Sequence, residues 1–270
     1  MERRREEARK GDVRLRNALF GLVLALQFLT RIPIPIVAPW TPETRRWAVR
    51  AYPLVGLLIG GVIGLLAICM QNVPAPITAL AILSVWVALS GGLHLDGVMD
   101  IADALGSNQP LAHRWEIMKD PQIGSFGMLA LVFLLAWKAV LLWALLAYHA
   151  PWWWLFIVPA LGRWAGVALL VLTPCARPKG LAWSWKQSLS GQDVAFALLP
   201  LAVFALWAPS VVVMVLIATV FVVLMRWFML RLFNGTNGDM VGATIEGGEL
   251  WLLILLWSWW QFATVSPLGI

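Results

Sequence analysis

Three aspartates, Asp96, Asp100 and Asp103, stand in the run Gly91-Gly92-Leu93-His94-Leu95-Asp96-Gly97-Val98-Met99-Asp100-Ile101-Ala102-Asp103. On a helix their i, i+4, i+7 spacing sets them on one face, within about 60° of one another. An apolar run from Pro76 to Ser90 precedes them and another begins near Phe126, so the acids stand where a hydrophobic segment leaves a bilayer. No Lys or Arg occurs between Arg50 and Arg114 to offset them in sequence. Like charges at this spacing repel by roughly a few tenths of a kcal/mol per pair in water and by more near lipid. The array therefore predicts a bound cation, with Asp96, Asp100 and Asp103 as metal ligands. Carboxylates without a Cys/His set point to a hard ion such as Mg²⁺ rather than Zn²⁺.

Further polar stretches carry complementary groups. One runs from Arg114 to Gly127 and contains Lys119 and Asp120; a second is Ala176-Arg177-Pro178-Lys179-Gly180-Leu181; a third runs from Asn234 to Glu246 and contains Asn237 and Asp239. Carboxylates, flexible glycines and cations together are what phosphoryl transfer requires. Divalent ions orient a phosphate and offset leaving-group charge, Arg and Lys hold its non-bridging oxygens, and glycines let amides approach it. Each element also has a plainer reading. A lone Asp at a helix end is a cap, and Asn234-Gly235 is a strong turn signal. His94 reads as a structural hydrogen-bonding residue or a substrate contact. Arg163 reads equally as a substrate contact or as the partner of a buried acid. Glu246 is a candidate base or a supporting acid.

The elements that must position these groups are membrane helices. The 270 residues are 61% hydrophobic and 13% charged, against about 25% charged in a soluble domain; the mean hydropathy is +0.80. Segments near 52–70, 75–93, 126–148, 152–173, 194–208, 210–230 and 250–266 are candidate spans, which predicts an all-α, polytopic membrane protein of about seven transmembrane helices. The segment 194–208 is short and contains Pro200. The apolar run 18–30 has only 13 residues and is read as interfacial or re-entrant. Residues 1–17 form a basic cytoplasmic segment, with seven Lys or Arg in the first 16 positions, and 18–270 a single membrane-embedded catalytic domain.

On that count the basic loops share one side and the loops near 71–74, 149–151 and 209 carry no Lys or Arg. The positive-inside rule then places the chemistry-bearing loops in the cytoplasm and the C-terminus outside. The net charge of +6 reads as topology and contact with the lipid bilayer, not as nucleic-acid binding. Lys138 and Arg163 fall inside spans, where a charge needs a partner or a function. Cys69 and Cys175 supply neither a disulfide framework nor a metal pair. The Trp groups at 152–154 and 257–260 read as interfacial anchors. The sequence leaves the oligomeric state open, a homo-oligomer included.

The run GGLHLDGVMDIADALGS followed by IMKDPQIGSFG resembles the bacterial cobalamin synthase family (adenosylcobinamide-GDP ribazoletransferase). Phe28-Leu29-Thr30-Arg31-Ile32-Pro33, the ARPKGL loop and NGTNGDMVGATIEGGE resemble other segments of the family, in the same order, from about 18 to 250. Asn237-Gly238-Asp239 stands where the family more often has Thr-Gly-Asp, and Met99 where a small residue is usual; neither change removes an acid. The resemblance implies an Mg²⁺-dependent enzyme of the bacterial cytoplasmic (inner) membrane. It would join adenosylcobinamide-GDP to α-ribazole, or to α-ribazole 5′-phosphate, and release GMP. Asp96, Asp100 and Asp103 would hold the metal. Asp120 or Asp239 would complete its shell or act as base. Arg114, Lys119 and Arg177 would hold the pyrophosphate, and His94, Arg163 and Asn237 are further substrate contacts. A CDP-alcohol phosphotransferase is a rival reading, though the Arg expected after its Asp-Gly element is missing. A cation- or proton-coupled transporter is another, though its acids belong near the bilayer midplane.

Overall fold

A computed structural model describes residues 1–264 as helices joined by short connections. The first helix, α1 (Glu2–Leu29), carries the apolar run 18–30 on the same continuous helix as the basic N-terminal residues, with no break at 17/18. It ends where Thr30 Oγ1 donates to the Leu26 carbonyl at 2.7 Å and Pro33 and Pro35 follow. The second helix, α2 (Pro42–Cys69), starts with Pro42 in its first turn and Thr41 as N-cap, accepting from Thr44 N at 3.2 Å.

The next element, α3 (Ala75–Ser90), stops at two glycines in the left-handed region, Gly91 (φ 67°) and Gly92 (φ 69°). Only glycine adopts two such conformations in succession cheaply, and the chain turns by 91° into α4 (Leu93–Gly106). The acidic segment is thus a helix lying across the bundle end, and the predicted span 75–93 ends at Ser90. Then come α5 (Leu111–Ile117), α6 (Ser125–Ala147), α7 (Trp154–Leu172), α8 (Leu181–Lys186), α9 (Gly191–Ala197), α10 (Leu199–Trp207), α11 (Ser210–Phe233) and α12 (Gly238–Thr264).

The all-α, polytopic reading holds. Five described helices (α2, α6, α7, α11 and α12) are long and apolar enough to cross a membrane, and α3 with α4 passes the same test only as a pair bent by 91°. The seventh expected span, 194–208, falls short: it is split between α9 and α10, and Pro200, which has no N–H to donate, opens the second piece. The region 231–249, read as a loop, is helical from Gly238 onward, so Asp239 and Glu246 lie on α12. The last two residues of the predicted 250–266 span, and the C-terminus assigned to the outer side, lie outside the described residues.

The central helix is α7, with 83% of its apolar window buried. It packs on α2 through Gly56 and Gly60, where a Cβ would come within 2.5 Å of the Cα of Ala160 and of Phe156; small residues four apart let two membrane helices close up. By contrast α6 and α11 bury only 28% of theirs and present Leu129, Phe133, Leu216 and Val223 outward, as lipid-facing helices do. A separate small core of Ile101, Ala104, Trp115, Met118, Leu169, Met229, Phe233, Met240 and Ala243 seats α4 against the ends of α7, α11 and α12.

Candidate active site

Glycines let α4 lie directly on α12. A Cβ on Gly97 would run into the Asp239 carbonyl, with the Asp239 carbonyl carbon 2.8 Å away, and one on Gly242 would come within 3.1 Å of the His94 Cα. The first turn of α4, bearing Asp96, therefore meets the first turn of α12, bearing Asp239. Two positive helix ends face the same space, which favours the acids they carry.

The turn before α12 is fixed by its own side chains. Asn234 ends α11 in the left-handed conformation (φ 56°). Asn237 Oδ1 accepts from Met240 N at 3.0 Å, capping α12, while its Nδ2 donates to Asp239 Oδ2 at 2.7 Å. The same turn pairs with the 174–180 loop: Thr236 N donates to Pro174 O at 2.9 Å and Ala176 N to Thr236 O at 3.1 Å. That loop is held in turn by Lys186, whose Nζ donates to the carbonyls of Leu170, Val171 and Thr173 at the end of α7. Arg45 and Arg46 bond the Ser184 and Ser188 carbonyls, and Arg50 pairs with Asp193 at 2.6 Å.

Between these parts opens a cavity of about 520 Å³, the size of a small-molecule site. Of the expected residues, His94, Asp96, Lys119, Arg177, Asn237 and Asp239 line it, together with Lys179. The lining thus carries acids and cations together. Arg177 lies over the Trp115 ring at 5.4 Å, and both residues line the cavity.

The remaining expected residues lie elsewhere. Asp103 turns both oxygens to the start of α6: Oδ2 accepts from Gly124 N and Oδ1 from Gly127 N, each at 2.8 Å. The glycines of the IGSFG stretch leave room for that carboxylate. Asp103 and Asp120 border a second depression, beside the start of α6, where Asp120 accepts from Gln122 N at 2.9 Å in a local turn. Arg114 donates to Gln109 O at 2.8 Å and to Leu232 O at 3.2 Å, closing the end of α11.

Glu246 and Arg163 are in the interior. Lys138 Nζ pairs with Glu246 at 2.5 Å and with Glu249 at 2.6 Å, and Arg163 pairs with Glu249. The sequence flagged Lys138 and Arg163 as charges in need of partners, and α12 supplies both. Glu249 was missed, although its i, i+3 spacing from Glu246 is that of two acids on one helix face. His94 links the two regions: it lines the cavity, and its Nδ1 is 3.9 Å from Glu246 Oε1.

No three His, Cys, Asp or Glu side chains among the described residues converge on a metal position, so the expected Asp96/Asp100/Asp103 ligand group is not assembled as such. The physical reason is the turning of Asp103 toward α6. Excess negative charge nevertheless remains on α4. Burial pushes the Asp100 carboxyl up to about 7, helped by Asp96, then Asp239, then Asp103. Carboxylates crowded without a local cation fit a hard divalent ion, and Mg²⁺ typically takes one or two of them and completes its shell with water and substrate phosphates. The donor set therefore fits Mg²⁺ through Asp96, which lines the cavity, and Asp100, four residues on along α4, which is not among the lining residues.

Residues 21–257 match the family model described as cobalamin-5-phosphate synthase. An adenosylcobinamide-GDP ribazoletransferase of Halalkalibacterium halodurans is 33% identical over 261 residues, 93% of this chain and all of the relative. One of Pseudomonas paraeruginosa is 38% identical over 244 residues, 90% of this chain and 99% of the relative. A third, of Stutzerimonas stutzeri, is 38% identical over 239 residues, 87% of this chain and 97% of the relative. No solved structure matches the chain.

Proposed function

Because the chain belongs to the cobalamin-5-phosphate synthase family, we propose that this membrane enzyme joins adenosylcobinamide-GDP to α-ribazole or its 5′-phosphate, with release of GMP. The observation that carries this reading is the meeting of Asp96 and Asp239 with Lys119, Arg177 and Lys179 around one cavity. Acids and cations around one cavity suit a diphosphate that must be both gripped and neutralised. The rival transporter reading has no such requirement.

Asp96 and Asp100 would hold Mg²⁺, which would supply charge neutralisation for the diphosphate. Lys119, Arg177 and Lys179 grip the non-bridging oxygens. The ribazole hydroxyl oxygen attacks the corrinoid-side phosphorus. A new P–O bond forms there as the P–O bond to GMP breaks. The hydroxyl proton passes to Asp239, which Asn237 Nδ2 keeps oriented from 2.7 Å. Asp103 acts at a distance by anchoring α4 to α6.

The cavity of about 520 Å³ takes a nucleoside and a pyrophosphate but not a corrin macrocycle, which stays at the mouth. The basic loops support a mouth that opens to the cytoplasm, by the positive-inside rule. The test is turnover of adenosylcobinamide-GDP and α-ribazole by the purified chain, followed by chromatography of adenosylcobalamin and GMP. Product formation that stops with EDTA, returns with Mg²⁺ and is absent in Asp100→Asn is expected. Full turnover by Asp100→Asn would remove the metal assignment, and no turnover by the wild-type chain would remove the function.

A further inference from the structure

The buried acids Glu246 and Glu249 do unequal work. Glu249 spends both oxygens on cations, Oε1 on Arg163 and Oε2 on Lys138, the latter at 2.6 Å. It alone would give each buried cation a partner. Glu246 spends one: Oε2 accepts from Lys138 Nζ at 2.5 Å, and Oε1 has no hydrogen bond among the described residues. A second acid in the interior is costly to keep charged, so the use of its free oxygen needs a reason.

That oxygen faces His94. Nδ1 of His94 is 3.9 Å from Glu246 Oε1 and is itself buried without a hydrogen-bond partner. An oxygen that can only accept thus meets a ring nitrogen that can donate. The separation exceeds a hydrogen bond, and contacts of this kind tighten when a substrate fills the site. Lys138 holds Glu246 in its charged form, and a charged acceptor favours the imidazole tautomer with its hydrogen on Nδ1. The lone pair is then on Nε2. Because Nδ1 faces the interior and His94 lines the cavity beside Asp96, Asn237 and Asp239, the Nε2 edge is the one offered to whatever binds there.

We propose that Glu246 is a positioning residue for His94, fixing its Nδ1–H tautomer so that Nε2 accepts a hydrogen bond from a ribose hydroxyl of a bound substrate. This rests on the reading of the chain as a transferase whose two substrates both carry a ribose. His94 holds the hydroxyl and takes no proton from it, so Asp239 keeps its part as base.

The test reads the tautomer and the kinetics separately, in the full chain purified in detergent. The chain has three histidines, so labelling histidine alone with nitrogen-15 gives three imidazole signals, and His94→Asn identifies the one that belongs to His94. At about pH 8, where an ordinary imidazole is neutral, the wild-type signal is expected to be that of Nδ1–H. Glu246→Gln should invert it. Lys138 can only donate and keeps the new amide's oxygen, which leaves the amide N–H₂ toward Nδ1 and drives the hydrogen to Nε2. A packing defect would not do this. Both Glu246→Gln and His94→Asn are expected to raise KM by about 3- to 10-fold, the range of one neutral hydrogen bond, for the substrate whose hydroxyl is held. A rise for α-ribazole assigns the contact to its ribose; a rise for adenosylcobinamide-GDP assigns it to the guanosine ribose. His94→Gln, which returns a carbonyl oxygen near the place of Nε2, should recover part of the loss seen in His94→Asn. An Nε2–H tautomer in the wild type, or the same tautomer in a folded Glu246→Gln, would overturn the role of Glu246. If Glu246→Gln does not fold, the wild-type tautomer and His94→Asn still decide. An unchanged KM for both substrates in His94→Asn would overturn the hydroxyl contact. A wild-type chain that makes no product would remove the function and the substrate contact with it, while the tautomer measurement would still judge the pairing of Glu246 with His94.

Discussion

Gly97 lies against the backbone of Asp239, with no space for a side chain between them. One hydrogen atom at position 97 thus sets the distance between α4, which carries Asp96 and Asp100, and α12, which carries the proposed base. Over-packing a tight contact forces a shift that costs about 1–3 kcal/mol. Here the contact is backbone against Cβ, so α4 itself must move. Gly97→Ala is expected to insert and extract normally yet to lose at least about tenfold in kcat, because the reacting groups must be held to within a fraction of an ångström. Turnover measured beside thermal melting in detergent checks this. A wild-type kcat would show that α4 and α12 do not act as one unit.

Asp100 and Asp103 stand three residues apart and behave as opposites. Asp103 receives two amide hydrogen bonds at 2.8 Å, whereas Asp100 is crowded by Asp96, Asp239 and Asp103. Hydrogen bonds to a charged acceptor each contribute about 1.5–3 kcal/mol. Asp103→Ala is therefore expected to lose about 3 kcal/mol of stability or more, read as a lowered Tm in detergent. Asp100→Asn relieves repulsion and should keep or raise the metal-free Tm while abolishing turnover. Equal Tm losses in the two variants would contradict the division of roles.

The three aspartates were legible because i, i+4, i+7 spacing is a property of the chain alone. Which of them would face the cavity was not. The direction of Asp103 depends on where α6 begins, and that is set by the turn through Gly124. The stretch 231–249 was misread because Gly235, Gly238 and Asn234-Gly235 are strong turn signals, while the cap that restarts the helix at Gly238 is a single side chain, Asn237. The glycines beyond it serve close packing: Gly242 admits His94 and Gly248 lies against Phe221. Lys138 and Arg163 announced themselves as charges within apolar runs. Their partners needed a third helix to be placed beside them.

The raised Asp100 carboxyl makes a prediction about pH. Its ordinary value near 3.8 is pushed up to about 7, so without metal it holds a proton below that point and is charged above it. Mg²⁺ requires the charged form, so its binding must expel the proton. Apparent Mg²⁺ affinity is expected to rise as pH goes from 6 to 8, by at most about tenfold per unit below 7 and flattening above it. Metal-free stability runs the other way. The folded state holds the proton more tightly than the unfolded one, so stability falls as pH rises from about 4 to about 7 and is level beyond. Mg²⁺ activation curves at three pH values, with melting curves of the EDTA-treated chain, check both signs. A pH-independent Mg²⁺ requirement would show that Asp100 is not a ligand.

The interior ion pairs make a prediction about balance. Lys138 and Arg163 face Glu246 and Glu249, two cations against two acids, all almost wholly buried. Lys138→Met leaves Glu246 without its hydrogen-bonded cation, and removing one partner of a buried pair typically costs about 3–5 kcal/mol. Adding Glu246→Gln removes the stranded charge and leaves Arg163 paired with Glu249. The double variant is therefore expected to be more stable than Lys138→Met alone, a coupling that independent sites would not give. His94 reaches this group from the cavity at 3.9 Å from Glu246, so the comparison also asks whether the quartet serves only the fold. Recovery of Tm together with kcat in the double variant marks it as a packing device. Recovery of Tm without kcat marks Glu246 as the residue that orients His94 toward the cavity.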